Sequence, residues 1–277
     1  MKLGFHISIM GGFRNVLTRA KRRNCETIQI FSRNPRGWKY KDIDEEDSQV
    51  FKKQIRDSNI APIFVHLPYL INLGSHNNEL FNKSIASLTA DLIRTEKLGA
   101  RYLITHSGSN QNVKAGIKRM VKAIIQAFVQ VDNDVVLLVE NTAGSGNEFG
   151  HKFEQLKEIL DGVGSDRIGI VFDTAHAFEA GYELRTKKGV DETISRLERI
   201  IGIERVHLVH FNDSRTKIGS KRDRHWHIGK GEIGRGMKFI INHSALRHLP
   251  FIMETPRTDT KEDLVNMSIA RKMIKNS

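Results

Sequence analysis

Residues 168–176 read IGIVFDTAH. Five apolar or small residues are followed by Asp173 and, three places later, by His176. An unbroken apolar run of this length, rich in β-branched residues, predicts a strand buried on both faces, as in a parallel sheet. A carboxylate where such a strand ends needs a physical reason, because burying a charge is costly. The same arrangement recurs along the chain.

Short apolar runs alternate with longer amphipathic stretches from one end of the chain to the other. The predicted strands are Leu3–Ser8, Thr27–Phe31, Ile63–Leu67, Tyr102–His106, Val135–Asn141, Ile168–Thr174, Val206–Asn212 and Phe251–Thr255. The predicted helices are Phe13–Arg23, Asp44–Ser58, Asn78–Leu98, Val113–Val131, His151–Asp161, Asp191–Ile201, Met237–His248 and Lys261–Lys275. Strict strand–helix alternation indicates a parallel sheet with helical crossovers. Eight such units predict a (β/α)₈ TIM barrel, with a doubly wound open sheet as the alternative.

The composition describes an ordinary globular protein with a basic surface. The 277 residues include 39% hydrophobic and 27% charged residues, and the net charge is +12. That excess favours an anionic partner, nucleic acid or an acidic membrane surface, although a solvated basic surface without a partner is the alternative. The single cysteine excludes an intrachain disulfide framework and indicates a reducing compartment. We find no signal-peptide-like or membrane-spanning apolar run and no linker, so we expect one domain over residues 1–277, in the cytoplasm.

Ionisable side chains stand at or near the carboxyl ends of seven of the eight predicted strands, namely His6, His66, His106, Glu140, Asp173, His210 and Glu254. A (β/α)₈ barrel brings these ends together around one mouth, where its active sites lie. For a lone residue, a hydrogen-bonded histidine or a salt-bridged carboxylate would be the simpler interpretation. Several carboxylates crowded into one mouth would repel each other unless cations compensate them.

Two short motifs add further candidate metal ligands. His176 follows Asp173 one turn later, at the start of the predicted loop, and Asp223 and His225 have the i, i+2 spacing that points both side chains to one side of an extended chain. The candidate ligands are then His66, His106, Glu140, Asp173, His176, His210, Asp223, His225 and Glu254. Imidazoles mixed with carboxylates form the ligand set of zinc, manganese or iron. Nine ligands exceed what one four-coordinate zinc ion uses and suffice for two or three ions.

Other motifs are weaker. The GxGxxG match at residues 229–234 is separated from the preceding strand by a long charged loop, so we do not interpret it as a dinucleotide site. His207 alternates with core residues of its strand and is interpreted as structural, and His227 as a surface residue. The basic stretch Arg215–Arg224 leads into the Asp223 and His225 pair, which favours phosphate contact there.

At these residues the sequence resembles the endonuclease IV family of apurinic/apyrimidinic endonucleases, which act in base-excision repair. The matching stretches are FSRNPRGW (31–38), HLPYLINLGS (66–75), ENTAGSGNEFG (140–150), FDTAHAFEAGY (172–182), HFNDSRTKIGSKRDRHWHIGKGEIG (210–234) and METP (253–256). The resemblance implies a TIM barrel with three zinc ions per chain, manganese being the alternative at part of the sites. It also implies hydrolysis of the phosphodiester 5′ to an abasic site, which leaves a 3′-hydroxyl and a 5′-deoxyribose phosphate, and trimming of blocked 3′ ends.

The resemblance also implies individual roles. His66 and His106 would hold one zinc ion, and Glu140 would bridge it to a second that Asp173, His210 and Glu254 complete. His176, Asp223 and His225 would hold the third, and Glu254 would also orient or deprotonate the attacking water. Residues matched to DNA contacts are Asn34, Arg36, Tyr69, Leu70 and Arg224, of which Arg36, Tyr69 and Leu70 would wedge into the duplex. We expect a monomer that binds double-stranded DNA containing abasic sites or blocked 3′ ends.

Two other function classes compete with this interpretation. A metal-dependent sugar isomerase or epimerase uses a related barrel with His, Asp and Glu at its strand ends, but needs one or two metal ions and no duplex wedge. A DNA-binding module without catalysis would have no reason to keep so costly a group of carboxylates. The nine candidate ligands and the +12 charge therefore favour the nuclease.

Overall fold

Eight parallel strands close into a barrel in the computed structural model, which describes residues 1–256 and 260–275. The strands are β1 (Lys2–His6), β2 (Thr27–Phe31), β3 (Ile63–His66), β4 (Tyr102–His106), β5 (Val136–Glu140), β6 (Ile168–Asp173), β7 (Val206–His210) and β8 (Pro250–Met253). Each strand pairs in parallel with the next, and β8 pairs with β1. This closure confirms the predicted barrel and excludes the open sheet, whose two edge strands would each have one neighbour.

Helices follow the strands around the outside of the barrel. Those of the described residues are α1 (Val16–Lys21), α2 (Glu45–Arg56), α3 (Asn78–Lys97), α4 (Val113–Gln130), α5 (Phe153–Val163), α6 (Thr174–Ala180), α7 (Lys187–Ile200), α8 (Gly236–Ile241) and α9 (Thr260–Met273). The main hydrophobic core joins outward-facing strand residues such as Val65 and Leu103 to helix residues such as Leu88 and Ile124. Within the described residues, no helix is both long and apolar enough to cross a bilayer.

A second, smaller core fills the barrel interior. It consists of the buried residues Phe64, Ile104, Val136, Leu138, Val171, Leu208 and Ile252. Side chains two residues apart on a strand point to the same face. His66, His106 and Glu140 each stand two places after one of these interior residues, so their side chains also point into the barrel, one layer higher. The pleat therefore places the ionisable residues directly above an apolar floor.

Strand positions follow the apolar runs closely. Thr27–Phe31 and Tyr102–His106 have the predicted bounds, and the other six strands differ from prediction by one or two residues at an end. The predicted strands extend too far at the carboxyl end of the barrel, because the chain turns away where the polar residues of the mouth begin.

The predicted helix Phe13–Arg23 is wrong at its start. Residues Phe13–Asn15 form a 3₁₀ turn, and the α-helix begins only at Val16. Asp47 explains this difference, because its carboxylate accepts hydrogen bonds from the backbone N–H groups of Phe13 and Arg14 at 2.6 and 3.0 Å. Because those amides bind a side chain of α2, the first turn departs from regular α-helical geometry.

Two later helices also differ from prediction. The helix predicted over Asp191–Ile201 begins at Lys187, because the Thr186 hydroxyl caps it by accepting from the Gly189 amide at 3.0 Å. Asp191 and Glu192, which would lie in the first turn of the predicted helix, therefore lie beyond the first turn of the observed one. The helix predicted over Met237–His248 ends at Ile241, where the Asn242 side chain bonds to two backbone carbonyls and competes with helix continuation.

Local structure at the barrel mouth was not predicted. Thr174–Ala180 forms the short helix α6, so His176 lies in a helix and not at the start of a loop. The Asp173 carboxylate caps this helix by accepting from the His176 amide at 2.7 Å. Asp213–Ser214 and His225–Trp226 pair as a small antiparallel ribbon that folds the intervening basic stretch back over the mouth.

His207 lies at the opposite, amino-terminal end of the strands, with its ring centroid 5.5 Å from that of Tyr102.

Candidate metal centre

The carboxyl ends of β3, β4 and β5 place a first group of possible metal ligands at the barrel mouth. Ligand atoms of His66, His106 and Glu140 all lie within 4.8 Å of one another. Nε2 of His66 is 3.4 Å, and Nε2 of His106 3.5 Å, from Oε2 of Glu140. Two imidazoles and one carboxylate thus face one point.

The second group is central and shares Glu140 with the first. Ligand atoms of Glu140, Asp173, His210 and Glu254 lie within 4.8 Å of one another. Nδ1 of His210 is 2.9 Å from the other Glu140 oxygen, Oε1, and 3.3 Å from Oε2 of Glu254. The two oxygens of Glu140 therefore face different groups, which is the geometry that a bridging carboxylate requires.

The third group lies towards α6 and the ribbon. Asp173, His176 and His225 form it, so Asp173 belongs to two groups, as Glu140 does. Asp223 also reaches this group, because its Oδ1 is 3.3 Å from Nε2 of His176 and 3.6 Å from Nε2 of His225. The prediction placed Asp173 in the second site only, and its position between two groups became visible only in the fold.

The spacing of these atoms fits metal ligation. Two ligands on one tetrahedral zinc ion lie about 3.3 Å apart, because each is about 2.0–2.1 Å from the ion. Nε2 of His176 and Nε2 of His225 are 3.2 Å apart, a contact in which one nitrogen must carry a proton unless a cation lies between them. All nine predicted ligands converge on this mouth, and the residues present fit a site for several divalent ions.

Three of the candidate histidines have their far ring nitrogens engaged by other protein groups. Nδ1 of His66 donates to the Leu67 carbonyl at 2.6 Å, and Nδ1 of His176 to the Asn141 carbonyl at 2.9 Å. Nε2 of His210 donates to the Gln29 side-chain oxygen at 2.7 Å. A proton fixed on the far nitrogen leaves the near nitrogen as a lone-pair donor towards the cluster, as metal-binding histidines require.

Three amide side chains hold the carboxylates, and the sequence did not single them out. Gln29, which is fully buried, donates to Oε1 of Glu254 at 2.6 Å. Asn212 donates to Oδ2 of Asp173 at 2.7 Å and accepts from the Glu254 amide at 2.7 Å. Asn141 exchanges two hydrogen bonds with the Asp173 backbone. Asn141 and Asn212 lie in stretches that match the resembled family, and each follows a predicted ligand by one or two residues.

The carboxylates at the mouth stabilise positively charged groups beside them. Burial alone would lower the pKa of His210, but Glu140 and Glu254 outweigh it and raise the pKa to about 9. Burial opposes ionisation of Glu140, yet His210 and His106 hold its pKa well below the usual range. A mouth that gathers several carboxylates requires cations close by, and metal ions compete with protons for such sites.

Comparison with known proteins decides between the two enzyme classes that share this architecture. Residues 17–275 match the family model described as a xylose isomerase-like TIM barrel. A protein of Methanoculleus marisnigri named probable endonuclease 4 is 43% identical over 276 residues, covering 98% of each chain. One of Halothermothrix orenii with the same name is 41% identical and covers 96% of this chain and 99% of its own. The chain belongs to the endonuclease IV family.

Solved structures agree with membership in the endonuclease IV family. The crystal structure of endonuclease IV from Thermus thermophilus has a TM-score of 0.90 and 34% identity, and covers 99% of this chain and 98% of its own. A D-tagatose 3-epimerase-like protein has a TM-score of 0.76 but only 18% identity, a likeness that shows the shared barrel alone.

In this endonuclease IV family member, the residues predicted to contact DNA are exposed at the carboxyl end of the barrel, which we call its rim. Tyr69 and Leu70 are 65% and 38% exposed, and the Tyr69 ring centroid is 6.2 Å from that of His106. Asn34 and Arg36 are exposed in the loop between β2 and α2. Arg224 is exposed between two residues of the third ligand group. Tyr69 and Arg224 thus adjoin ligand groups, and Asn34 and Arg36 follow the carboxyl end of β2, the end of the barrel at which the ligand groups lie.

The basic stretch between the two ribbon strands is tied to α6 by Glu179, another residue that the sequence did not single out. Its Oε1 accepts from Ser214 Oγ at 2.7 Å, from Thr216 Oγ1 at 3.1 Å and from the Arg224 amide at 3.1 Å. Because α6 also carries His176, this fully buried carboxylate links the basic stretch to the third ligand group.

Proposed function

We propose that this chain is a DNA-repair apurinic/apyrimidinic endonuclease. It hydrolyses the phosphodiester 5′ to an abasic site, leaves a 3′-hydroxyl and a 5′-deoxyribose phosphate, and trims blocked 3′ ends. The observation that carries the proposal is the overlap of three ligand groups through Glu140 and Asp173 at the mouth of an endonuclease IV family barrel. One chain supplies all nine ligands, so we propose that a monomer, folded as one domain over residues 1–277, suffices in the cytoplasm.

The proposed cofactor is three divalent ions per chain, zinc at least in the main, with manganese as the alternative at part of the sites. The first two groups share Glu140, which we propose as the bridging ligand. The third group combines His176, Asp223 and His225, and Asp173 faces both it and the second group. When bound, divalent ions in such an arrangement activate water as a nucleophile and offset the charge of the phosphate.

Glu254 is the proposed proton acceptor for the attacking water. Its side chain is 16% exposed, whereas that of Glu140 is 1% exposed, so Glu254 has the more direct access to a substrate at the mouth. Although burial opposes it, the charge of His210 lowers the pKa of Glu254 well below its usual range and keeps the side chain ionised. Gln29 holds one carboxylate oxygen, which orients the other towards the cluster.

The rim residues support a duplex with a turned-out nucleotide as the substrate. Extracting a nucleotide from the stack costs a few kcal/mol and costs least at a damaged site, which favours abasic DNA. Tyr69 and Leu70 would fill the space left in the stack, together with Arg36, while Asn34 and Arg224 contact the backbone. The +12 charge favours the polyanion. A sugar isomerase would need neither the exposed wedge residues nor the third ligand group.

The proposed function predicts both metal content and its effect on activity. We expect purified protein to contain about three metal ions per chain, mainly zinc, because the nine ligands, with Glu140 and Asp173 each shared between two groups, offer every ion three or four protein ligands. Prolonged chelation should abolish incision of a duplex with one abasic site, and added zinc should restore it. Elemental analysis that finds one ion or none, or incision that survives chelation, would contradict the metal assignment.

Substitution of Tyr69 tests whether the exposed residues at the barrel mouth contact DNA. Tyr69→Ala should weaken binding to an abasic duplex by about tenfold, since stacking of a base on an aromatic ring contributes about 1–3 kcal/mol. Tyr69→Phe keeps the ring and serves as the control, with binding close to wild type. Fluorescence anisotropy with an uncleavable abasic analogue measures both. Equal affinities for the alanine variant and wild type would remove Tyr69 from the wedge.

A further inference from the structure

The loop over residues 32–43, which connects β2 to α2, carries two of the proposed DNA contacts. It contains no regular secondary structure, and Asn34 and Arg36 are exposed on it. A loop of this kind is ordinarily mobile, and ordering it on binding would weaken affinity. Whether Asn34 and Arg36 face DNA in a fixed geometry therefore depends on what holds the loop from below.

Arg33, which directly precedes the exposed Asn34, points the other way and is only 4% exposed. Its guanidinium forms a fork with the buried Asp91 of α3, with Nε 3.2 Å and Nη2 2.9 Å from Oδ2. Nη2 also donates to the Ser87 hydroxyl. Nη1 lies 3.4 Å from the Gly37 carbonyl and 3.5 Å from the Trp38 carbonyl, just after Arg36 in the chain.

Arg94 of α3 provides a second buried guanidinium under the same loop. Its Nη2 donates to the Ser32 carbonyl at 2.6 Å, and its Nη1 to the Lys41 carbonyl at 3.0 Å. The Tyr40 ring covers both guanidiniums, with its centroid 4.5 Å from Cζ of Arg33 and 5.2 Å from Cζ of Arg94. Together the two arginines satisfy carbonyls at the start, the middle and the end of the loop.

Burying two guanidiniums against a single carboxylate is costly for stability alone, and an apolar contact would hold α3 against the barrel at lower cost. The remaining donors of both guanidiniums are directed at the loop, apart from the bond of Arg33 to Ser87 of α3. Their hydrogen bonds in the described residues go to α3 and to the loop, and include no ligand of the metal centre.

We propose that Arg33 and Arg94 are positioning residues that fix the 32–43 loop in its DNA-binding conformation before DNA arrives. The inference rests on the proposed function, because it assigns the loop a DNA contact. Preorganisation gains affinity by removing the ordering cost from the binding step. Lysine cannot replace arginine here, since it lacks the planar fork that reaches a carboxylate and two carbonyls together.

The first test is binding to a duplex with one uncleavable abasic analogue. We expect Arg33→Lys and Arg94→Lys each to weaken binding about tenfold, with kcat changed less than about twofold and metal content unchanged. Arg196→Lys is the matched control, because Arg196 also pairs with a carboxylate, that of Glu154, and lies 5.6 Å from a tyrosine ring, but stands on α7, away from the 32–43 loop. Wild-type affinity of both loop variants, or a loss confined to kcat, would overturn the proposal.

A double-mutant cycle separates positioning from general destabilisation. If Arg33 acts through the exposed loop residues, adding Arg33→Lys to an Asn34→Ala/Arg36→Ala background should weaken binding less than about twofold further. A full tenfold loss in that background would show that Arg33 acts elsewhere.

Hydrogen exchange without DNA tests whether Arg33 and Arg94 hold the 32–43 loop, independently of the proposed function. Amides of residues 34–42 should exchange faster in Arg33→Lys and Arg94→Lys than in wild type, while those of β3 and β4 stay unchanged. If the loop amides of both variants exchange at the wild-type rate, the positioning role of Arg33 and Arg94 is overturned, even if the protein incises abasic DNA. Failure of wild-type protein to bind or incise abasic DNA would instead refute the proposed function, and the exchange result would still decide whether the loop is anchored.

Discussion

Glu140→Gln is expected to abolish incision of an abasic duplex, lowering kcat by about 10³-fold or more. The two oxygens of Glu140 face different ligand groups, Oε2 towards His66 and His106 and Oε1 towards His210. Glutamine keeps the shape but removes the charge and offers only one good ligand oxygen, so it cannot bridge two cations. Metal content should fall together with activity.

The fold should survive this substitution, because removing a buried negative charge from a crowded mouth relieves repulsion in the absence of metal. Circular dichroism and thermal unfolding check this point. Glu154→Gln, on the outer surface in α5, changes the same chemical group far from the mouth and should leave kcat at its wild-type value. Near-normal turnover by Glu140→Gln would remove Glu140 from the bridge.

Asp173→Asn should lower kcat by about 10²–10³-fold, and it should also cost about 1–3 kcal/mol of stability, because its new amide group would face the Asn212 amide that donates to Oδ2. Asp173 both caps α6 and faces two ligand groups. Asparagine is as good a cap as aspartate, so the substitution keeps the start of α6 while it replaces the oxygen that faces Asn212 and the cations by an amide group. The expected loss of kcat therefore tests the proposed ligation apart from the helix cap.

Asp44→Asn is the matched control for that substitution. Asp44 caps α2 by accepting from the Asp47 amide at 2.8 Å, and α2 lies on the outside of the barrel, away from the ligand groups. Both variants should keep their helix caps, but only Asp173→Asn should lose activity and metal. Equal activities of the two variants would mean that Asp173 acts as a cap alone.

The barrel could be predicted because its strands are buried on both faces. Runs such as VLLVE in β5 are apolar up to their last residue, and a polar residue follows at the same end of nearly every run. Local competition at helix ends was not visible in the same way. The start of α1 depends on Asp47, more than thirty residues away in sequence, and the end of α8 depends on where the Asn242 side chain finds a carbonyl.

The predicted ligand set converges on one mouth, but its internal connections could not be predicted from the sequence. Whether Asp173 faces one group or two depends on the distance between β6, α6 and the ribbon, which no local pattern encodes. Gln29, Asn141 and Asn212 were not predicted because an amide inside a strand or just after one has many structural interpretations. A polar residue at full burial beside a candidate ligand is the signal that identifies them, and burial requires the fold.

The role proposed for Arg33 could not be predicted from the sequence either. FSRNPRGW matches the family, and its Asn34 and Arg36 were predicted as DNA contacts. Arg33 lies in the same stretch and has the same side chain as Arg36, but its partner Asp91 is 58 residues away on α3. Only the fold distinguishes the buried arginine from its exposed neighbour.

The two-residue alternation that sets ligands above an apolar floor has an evolutionary consequence. Adding or deleting one residue inside β5 would exchange Val139 with Glu140, turning the carboxylate outward into the helical layer and a methyl-bearing side chain into the mouth. Insertions in loops that carry neither ligands nor DNA contacts have no such penalty. Homologues should therefore differ freely in the length of those loops, while their barrel strands tolerate substitution but almost no change in length.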